Sequence, residues 1–120
     1  MRIVLAGLSH RTAPIETREA LSLATDALPG ALETLGEHTN HGVIVSTCNR
    51  TEVYTIARDL ENGADSLERF IQDQFDVDMQ NIRPHLYMLE QDEAVKHLFR
   101  VASSLDSQIL GESEILGQVR

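Results

Sequence analysis

Residues Gly42 to Ala57, reading GVIVSTCNRTEVYTIA, place two strand-forming runs on either side of four polar residues. Gly42 to Ser46 is rich in β-branched residues and Thr51 to Ala57 alternates, with Thr47, Cys48, Asn49 and Arg50 between them, so the pattern predicts a hairpin or tight reversal. A paired unit at the centre of a short chain obliges the flanking segments to pair with it or cover it. The only cysteine sits at the reversal. A thiol at a turn is open to reaction, and Arg50, two residues on, supplies a fixed positive charge that favours thiolate over thiol. The same residue also reads as a small buried hydrophobe, and from this stretch alone both readings stand.

Around this centre the chain alternates strand and helix signals. Arg2 to Leu8 is an apolar run of strand length, followed by a polar loop of Ser9, His10, Arg11 and Thr12. Pro14 suits a first helical position, with Ile15 to Leu23 as the helix. Asp26 is the expected cap of a second helix whose Leu28, Leu32 and Leu35 form one stripe, with Gly36 as its stop. Beyond the reversal, Asn62 is the expected cap of a helix that repeats Ala64, Leu67, Phe70, Ile71 and Phe75 at helical spacing. Asp78 to Arg83 reads as a short turn or helical piece ended by Pro84, and His85 to Glu90 as a brief fourth strand. Asp92 then starts a helix with Ala94, Val95, Leu98, Val101, Ala102 and Leu105 on its buried face and His97 at the edge of that face. It is expected to fray at Ser103 and Ser104. Asp106 to Gly111 reads as a loop, and Ser113 as the cap of a last helix that carries Ile115, Leu116 and Val119. The pattern stops inside that helix, as expected of a piece of something longer.

With the two early helices taken as one crossover, the predicted class is α+β. The order is that of a ferredoxin-like split βαβ sandwich: an antiparallel four-stranded sheet with helices on one face, plus additional C-terminal helices. Such an order brings Ser9 to Thr12, Thr47 to Arg50 and Ser103 to Ser107 to one edge. His10, His85 and His97 compete for a place in the cleft between them. A length of 120 residues fits one domain. A single cysteine permits no internal disulfide, and Ile3 to Leu8 is too short to span a bilayer, so a cytoplasmic protein without membrane contact is expected. The net charge of −9 opposes a broad basic surface, so a nucleic-acid partner would need a local site or another domain.

Three stretches are recognisable together: VLAGLSHRTAPIETRE, STCNRTEVY and HLFRVASSLDSQILGESEILGQV. In this order they resemble the N-terminal catalytic domain of glutamyl-tRNA reductase, over the whole chain and least between Arg58 and Glu90. The resemblance implies reduction of glutamyl-tRNA(Glu) to glutamate-1-semialdehyde with NADPH, the first step of tetrapyrrole synthesis from glutamate. By the matching motif, Cys48 attacks the aminoacyl ester and releases the tRNA as a thioester forms, which hydride then reduces. Covalent catalysis divides one hard step into two. A thiol of ordinary pKa, about 8.5, is only a few per cent ionised at neutral pH, so a nearby cation assists.

The resemblance assigns the second catalytic role to His97, in polarising the carbonyl or protonating the leaving ribose oxygen. Arg50 would receive a substrate carboxylate with its bidentate fork. Thr47, Asn49, Ser107, Glu112, Ser113, Glu114 and Gln118 match positions lining the family's substrate pocket. Glu112 and Glu114 would otherwise read as solvated acids at a helix start. The chain departs from the family where Ser104 replaces a common glycine and where Ser113 and Glu114 replace a common Pro-Gln pair.

No glycine-rich strand-to-helix fingerprint of a dinucleotide site occurs in the sequence. The resemblance therefore implies a truncated catalytic domain over residues 1–120, with the NADPH-binding and dimerisation domains absent. The expected partners of the full-length homodimer are glutamyl-tRNA, NADPH and glutamate-1-semialdehyde aminomutase. Two rival readings use the same residues differently. A cysteine hydrolase or acyltransferase would keep Cys48 and His97 with another acceptor, and an RNA- or protein-binding module would not need Cys48. A metal site of His38, His41 and Cys48 fits no usual zinc spacing, and no metal is expected.

Overall fold

The computed structural model describes residues 1–47 and 49–107, with side chains as far as Ser103. Four strands form one sheet: β1 (Arg2–Ser9), β2 (Gly42–Ser46), β3 (Arg50–Ala57) and β4 (Tyr87–Glu90). Their order is β2-β3-β1-β4, and every pairing is antiparallel. β1 is central, as its apolar run demands, and pairs along its whole length with β3, from Arg2 opposite Ala57 to Ser9 opposite Arg50. Between the strands lie α1 (Ile15–Ala20), α2 (Leu28–His38), α3 (Leu60–Phe75), the short α4 (Met79–Ile82) and α5 (Asp92–Ser107).

Helices α2, α3 and α4 share one face of the sheet, and the additional C-terminal helix α5 covers the other. Even-numbered residues of β1, Val4, Ala6 and Leu8, join Ile44 and Val53 in a core covered by α2, α3 and α4. The opposite parity is apolar too: Leu5, Val45 and Tyr54 form a second core beneath Ala94 and Val101 of α5. A strand with two apolar faces needs cover on both, and α5 is the element that supplies it. Gly63 lets α3 approach β1, since a Cβ there would lie 2.6 Å from Val4 Cγ2.

Several boundaries differ from those expected. α1 ends at Ala20, and its expected last turn is replaced by an irregular stretch in which Leu21 is buried and its carbonyl accepts from Thr51 Oγ1 at 2.9 Å. Asp26 lies inside a 3₁₀ turn, Thr25–Ala27, and caps nothing through its side chain; Gly36 lies within α2, which continues to His38. The cap of α3 is Asp59, whose carboxylate accepts from the Asn62 backbone N–H at 2.8 Å, so Asn62 is the third helical residue. β4 begins at Tyr87 because His85 belongs to a second 3₁₀ turn, Arg83–His85. α5 runs through Ser103 and Ser104 to Ser107: serine is only modestly less helical than alanine, and neither glycine nor proline intervenes. The readings of a loop up to Gly111 and of a final helix from Ser113 lie, beyond Ser107, outside the described residues.

Candidate active site

Side-chain alternation in β3 puts Arg50, Glu52 and Tyr54 on the face beneath α5. Glu52 is fully buried. It sits opposite Gly7 of β1 in register, and Tyr87 of β4 sits opposite the same glycine from the other side. A Cβ on Gly7 would lie 2.9 Å from Glu52 Cγ and 3.0 Å from Tyr87 Cε1. Glycine is thus what allows two large side chains to meet across the central strand.

Four donors converge on this carboxylate. Tyr54 donates its hydroxyl to Oε1 at 3.1 Å. Oε2 accepts from Arg50 Nη1 at 3.2 Å, from the Tyr87 hydroxyl and from His97 Nε2. An acceptor-only carboxylate satisfies all four, and the imidazole proton then resides on Nε2. Arg50 Nη1 also lies 3.4 Å from His97 Nε2, but both atoms are then donors, and their approach reflects a shared acceptor. The Tyr87 and His97 rings lie 5.4 Å apart and tilted, which fixes the imidazole from its side. Burial, then the charge of Glu52, then the hydrogen bond to it, push the Tyr54 and Tyr87 phenols far above the ordinary tyrosine value. Both therefore remain donors throughout the physiological range.

Two loops close on the open side of this cluster. The Ser9–Thr12 turn is locked by its own bonds: Ser9 N–H donates to Thr12 Oγ1 and Thr12 N–H to the Ser9 carbonyl, both at 3.0 Å. His10 N–H donates to the Asn49 carbonyl at 2.8 Å, joining that turn to the β2–β3 reversal. The reversal is itself closed by Thr47 N–H to the Arg50 carbonyl at 2.8 Å and by Asn49 N–H to Thr47 Oγ1 at 3.1 Å. Between the Ser9–Thr12 loop, the sheet and α5 opens a cavity of about 490 Å³. Ser9, Arg11 and Thr12 line it from the first loop, Arg50 and Tyr87 from the sheet, and His97 and Arg100 from α5.

Of the residues singled out in the sequence, the structure brings Arg50 and His97 into contact with one carboxylate and places Thr47 and Asn49 in the adjoining reversal. Cys48, Glu112, Ser113, Glu114 and Gln118 lie outside the described residues, and Ser107 is described only as the last residue of α5. Of the competing histidines, His85 bonds through Nδ1 to the Thr12 carbonyl at 3.1 Å, and His10 is exposed and reaches the reversal through its backbone. His38 is engaged with Asp73 at 2.6 Å.

Glu52, Tyr54, Tyr87 and Gly7 were not singled out in the sequence. A signal for Glu52 was present: it shares parity with Arg50 and Tyr54, in a sheet whose neighbouring strand β2 is apolar on both faces.

A family model described as glutamyl-tRNAGlu reductase, N-terminal domain, matches residues 6–120. Glutamyl-tRNA reductase of Geobacillus kaustophilus is 46% identical over 122 aligned residues, which take in 100% of this chain and 27% of the relative. That of Syntrophotalea carbinolica is 45% identical, with 100% of this chain and 28% of the relative covered. The solved structure of the glutamyl-tRNA reductase from Methanopyrus kandleri superposes with a TM-score of 0.55 at 33% identity, over 97% of this chain and 26% of that one. The chain spans about a quarter of the length of the relatives it matches. With the match extending over nearly all of its residues, the chain belongs to the glutamyl-tRNA reductase N-terminal domain family.

Proposed function

We propose that this chain carries the acyl-transfer site of a glutamyl-tRNA reductase, with Cys48 as nucleophile and His97 as its acid–base partner. The observation that carries this reading is the convergence of Arg50 and His97 on the buried Glu52, beside the reversal that bears Cys48 and facing a cavity of about 490 Å³. The strand order β2-β3-β1-β4, with α2 and α3 in its two crossovers, is read as the ferredoxin-like split βαβ scaffold.

In the proposed reaction His97 Nδ1 takes the proton of the Cys48 thiol, and the resulting thiolate adds to the ester carbonyl carbon, forming a C–S bond. The C–O bond to the ribose then breaks, and the departing oxygen takes a proton from the imidazole. With Nε2 held by Glu52, Nδ1 is the nitrogen that exchanges this proton, and the carboxylate stabilises the imidazolium that forms, as buried carboxylates do in hydrolase triads. Glu52 also holds Arg50 Nη1, so the guanidinium is oriented before substrate arrives and its remaining N–H groups meet the substrate carboxylate. Thr47, Asn49 and Ser107, with Glu112, Ser113, Glu114 and Gln118, are proposed to complete the substrate pocket.

The described residues do not fit a dinucleotide: the sheet is wholly antiparallel, with no parallel βαβ switch point and no glycine fingerprint after β1. No hydride step is therefore derived from this chain. In this reading the NADPH-dependent reduction to glutamate-1-semialdehyde, and dimerisation, belong to regions of the longer relatives. The setting is cytoplasmic, and the aminomutase that takes glutamate-1-semialdehyde is the next partner.

Mixing the chain with glutamyl-tRNA, quenching in acid and weighing the protein tests the proposal. The expected result is a glutamyl adduct that neutral hydroxylamine removes and that Cys48→Ser abolishes. An unmodified chain with no Cys48-dependent deacylation of the tRNA would overturn it. Sustained multiple-turnover release of glutamate without a nicotinamide would favour a cysteine hydrolase instead.

A further inference from the structure

Three of the chain's ten lysine and arginine residues, Arg11, Arg50 and Arg100, line the cavity described above, in a chain with nineteen acids. Arg50 is neutralised by Glu52. Arg11 and Arg100 are exposed and make no ion pair among the described residues; Arg2, Arg69 and Arg83 each pair with a nearby carboxylate, while Arg18, Arg58 and Lys96 are unpaired but lie outside the cavity. Among the described residues none that lines the cavity is acidic, and Glu112 and Glu114, proposed above for the substrate pocket, lie outside them. The mouth is thus a local positive focus on an acidic molecule, of the kind that draws in and orients an anion.

We propose that Arg11, on the loop after β1, and Arg100, on α5, grip backbone phosphates of the single-stranded acceptor end of an aminoacylated RNA. This rests on the acyl-transfer reading. A cavity of about 490 Å³ takes the aminoacyl group and the sugar that bears it, so the polynucleotide must leave across the rim, where these two guanidinium groups stand. Their planar forks match phosphate oxygens. A net charge of −9 repels RNA from the rest of the surface and confines contact to this rim. The two arginines come from separate elements, so the strand is held from two sides and its 3′ end is aimed at Arg50 and His97.

The test measures binding of a deacylated acceptor-stem RNA by fluorescence anisotropy over a salt series, for the native chain, Arg11→Gln, Arg100→Gln and the control Arg58→Gln. Arg58 is exposed and lies outside this cavity. Loss of one phosphate contact to a single strand lowers the slope of log affinity against log salt by about 0.7. Each cavity variant is expected to show that drop and about 5- to 10-fold weaker binding, with Arg58→Gln unchanged. A glutamyl alkyl thioester without nucleotides should acylate all four proteins equally. Failure of the native chain to bind the RNA, or an equal slope in native and cavity variants, would overturn the inference. A cavity variant that impairs the small donor as much as the RNA would also overturn it. Salt-sensitive RNA binding of the expected pattern without acylation from any donor would sink the acyl-transfer reading and leave the phosphate contacts standing.

Discussion

Glu52 accepts from Arg50, Tyr54, Tyr87 and His97 with its side chain wholly out of solvent. Removing its charge strands a guanidinium that is itself only partly exposed. Glu52→Gln is therefore expected to lower stability by about 2–3 kcal/mol in urea unfolding. It should also slow acylation of Cys48 by about 100-fold or more, the scale of a misplaced acid–base group. The tyrosines give a pH signature. Their folded values lie above the ordinary value, so the unfolded chain loses their protons first as pH rises. Their contribution to stability is complete below about pH 10 and drains away above it. Tyr87→Phe should lower stability at neutral pH by about 1 kcal/mol and flatten that alkaline decline, as read by melts at stepped pH. At this scale the sequence exposed His97, because a histidine at the edge of an apolar helical stripe is conspicuous. It hid Glu52, because alternation in Thr51 to Ala57 reads as one solvated face until α5 is known to cover that face.

At the scale of elements, the site depends on how closely β1, β3 and β4 approach at Gly7. Gly7→Ala forces a methyl group against Glu52 and Tyr87. It is expected to cost about 1–3 kcal/mol and to impair acylation at the same time. Asp59→Ala removes the cap of α3 on the opposite side of the sheet. That variant should lose about 1 kcal/mol while its acylation rate per folded molecule is unchanged. Comparing the pair in unfolding and single-turnover assays separates damage to the site from damage to the fold. The periodic parts of α2, α3 and α5 were legible because apolar stripes survive local ambiguity. Their ends were less so: Asp59 and Asn62 are both good capping residues, and only the chain's exit from β3 selects Asp59. The two-sided sheet was legible in principle from Leu5, Val43 and Val45, whose parity opposes that of Val4 and Ile44.

At the scale of the whole molecule, the two cores divide the work. The larger, under α2, α3 and α4, holds the sheet; the smaller, under α5, brings His97 over β3 and leaves the cavity between α5, the sheet and the Ser9–Thr12 loop. Among the described residues no helix is long and apolar enough to cross a membrane. Charge is distributed to the same end, with acids prevailing over the surface and unpaired arginines at the cavity mouth. This arrangement stands on the bond between Glu52 and His97. The most direct measurement is a long-range proton–nitrogen correlation spectrum of the histidine rings, with His97 assigned by His97→Gln. The expected spectrum shows a His97 ring held with its proton on Nε2, and a change of that pattern in Glu52→Gln. A native His97 that averages freely between tautomers, or carries its single proton on Nδ1, would contradict it.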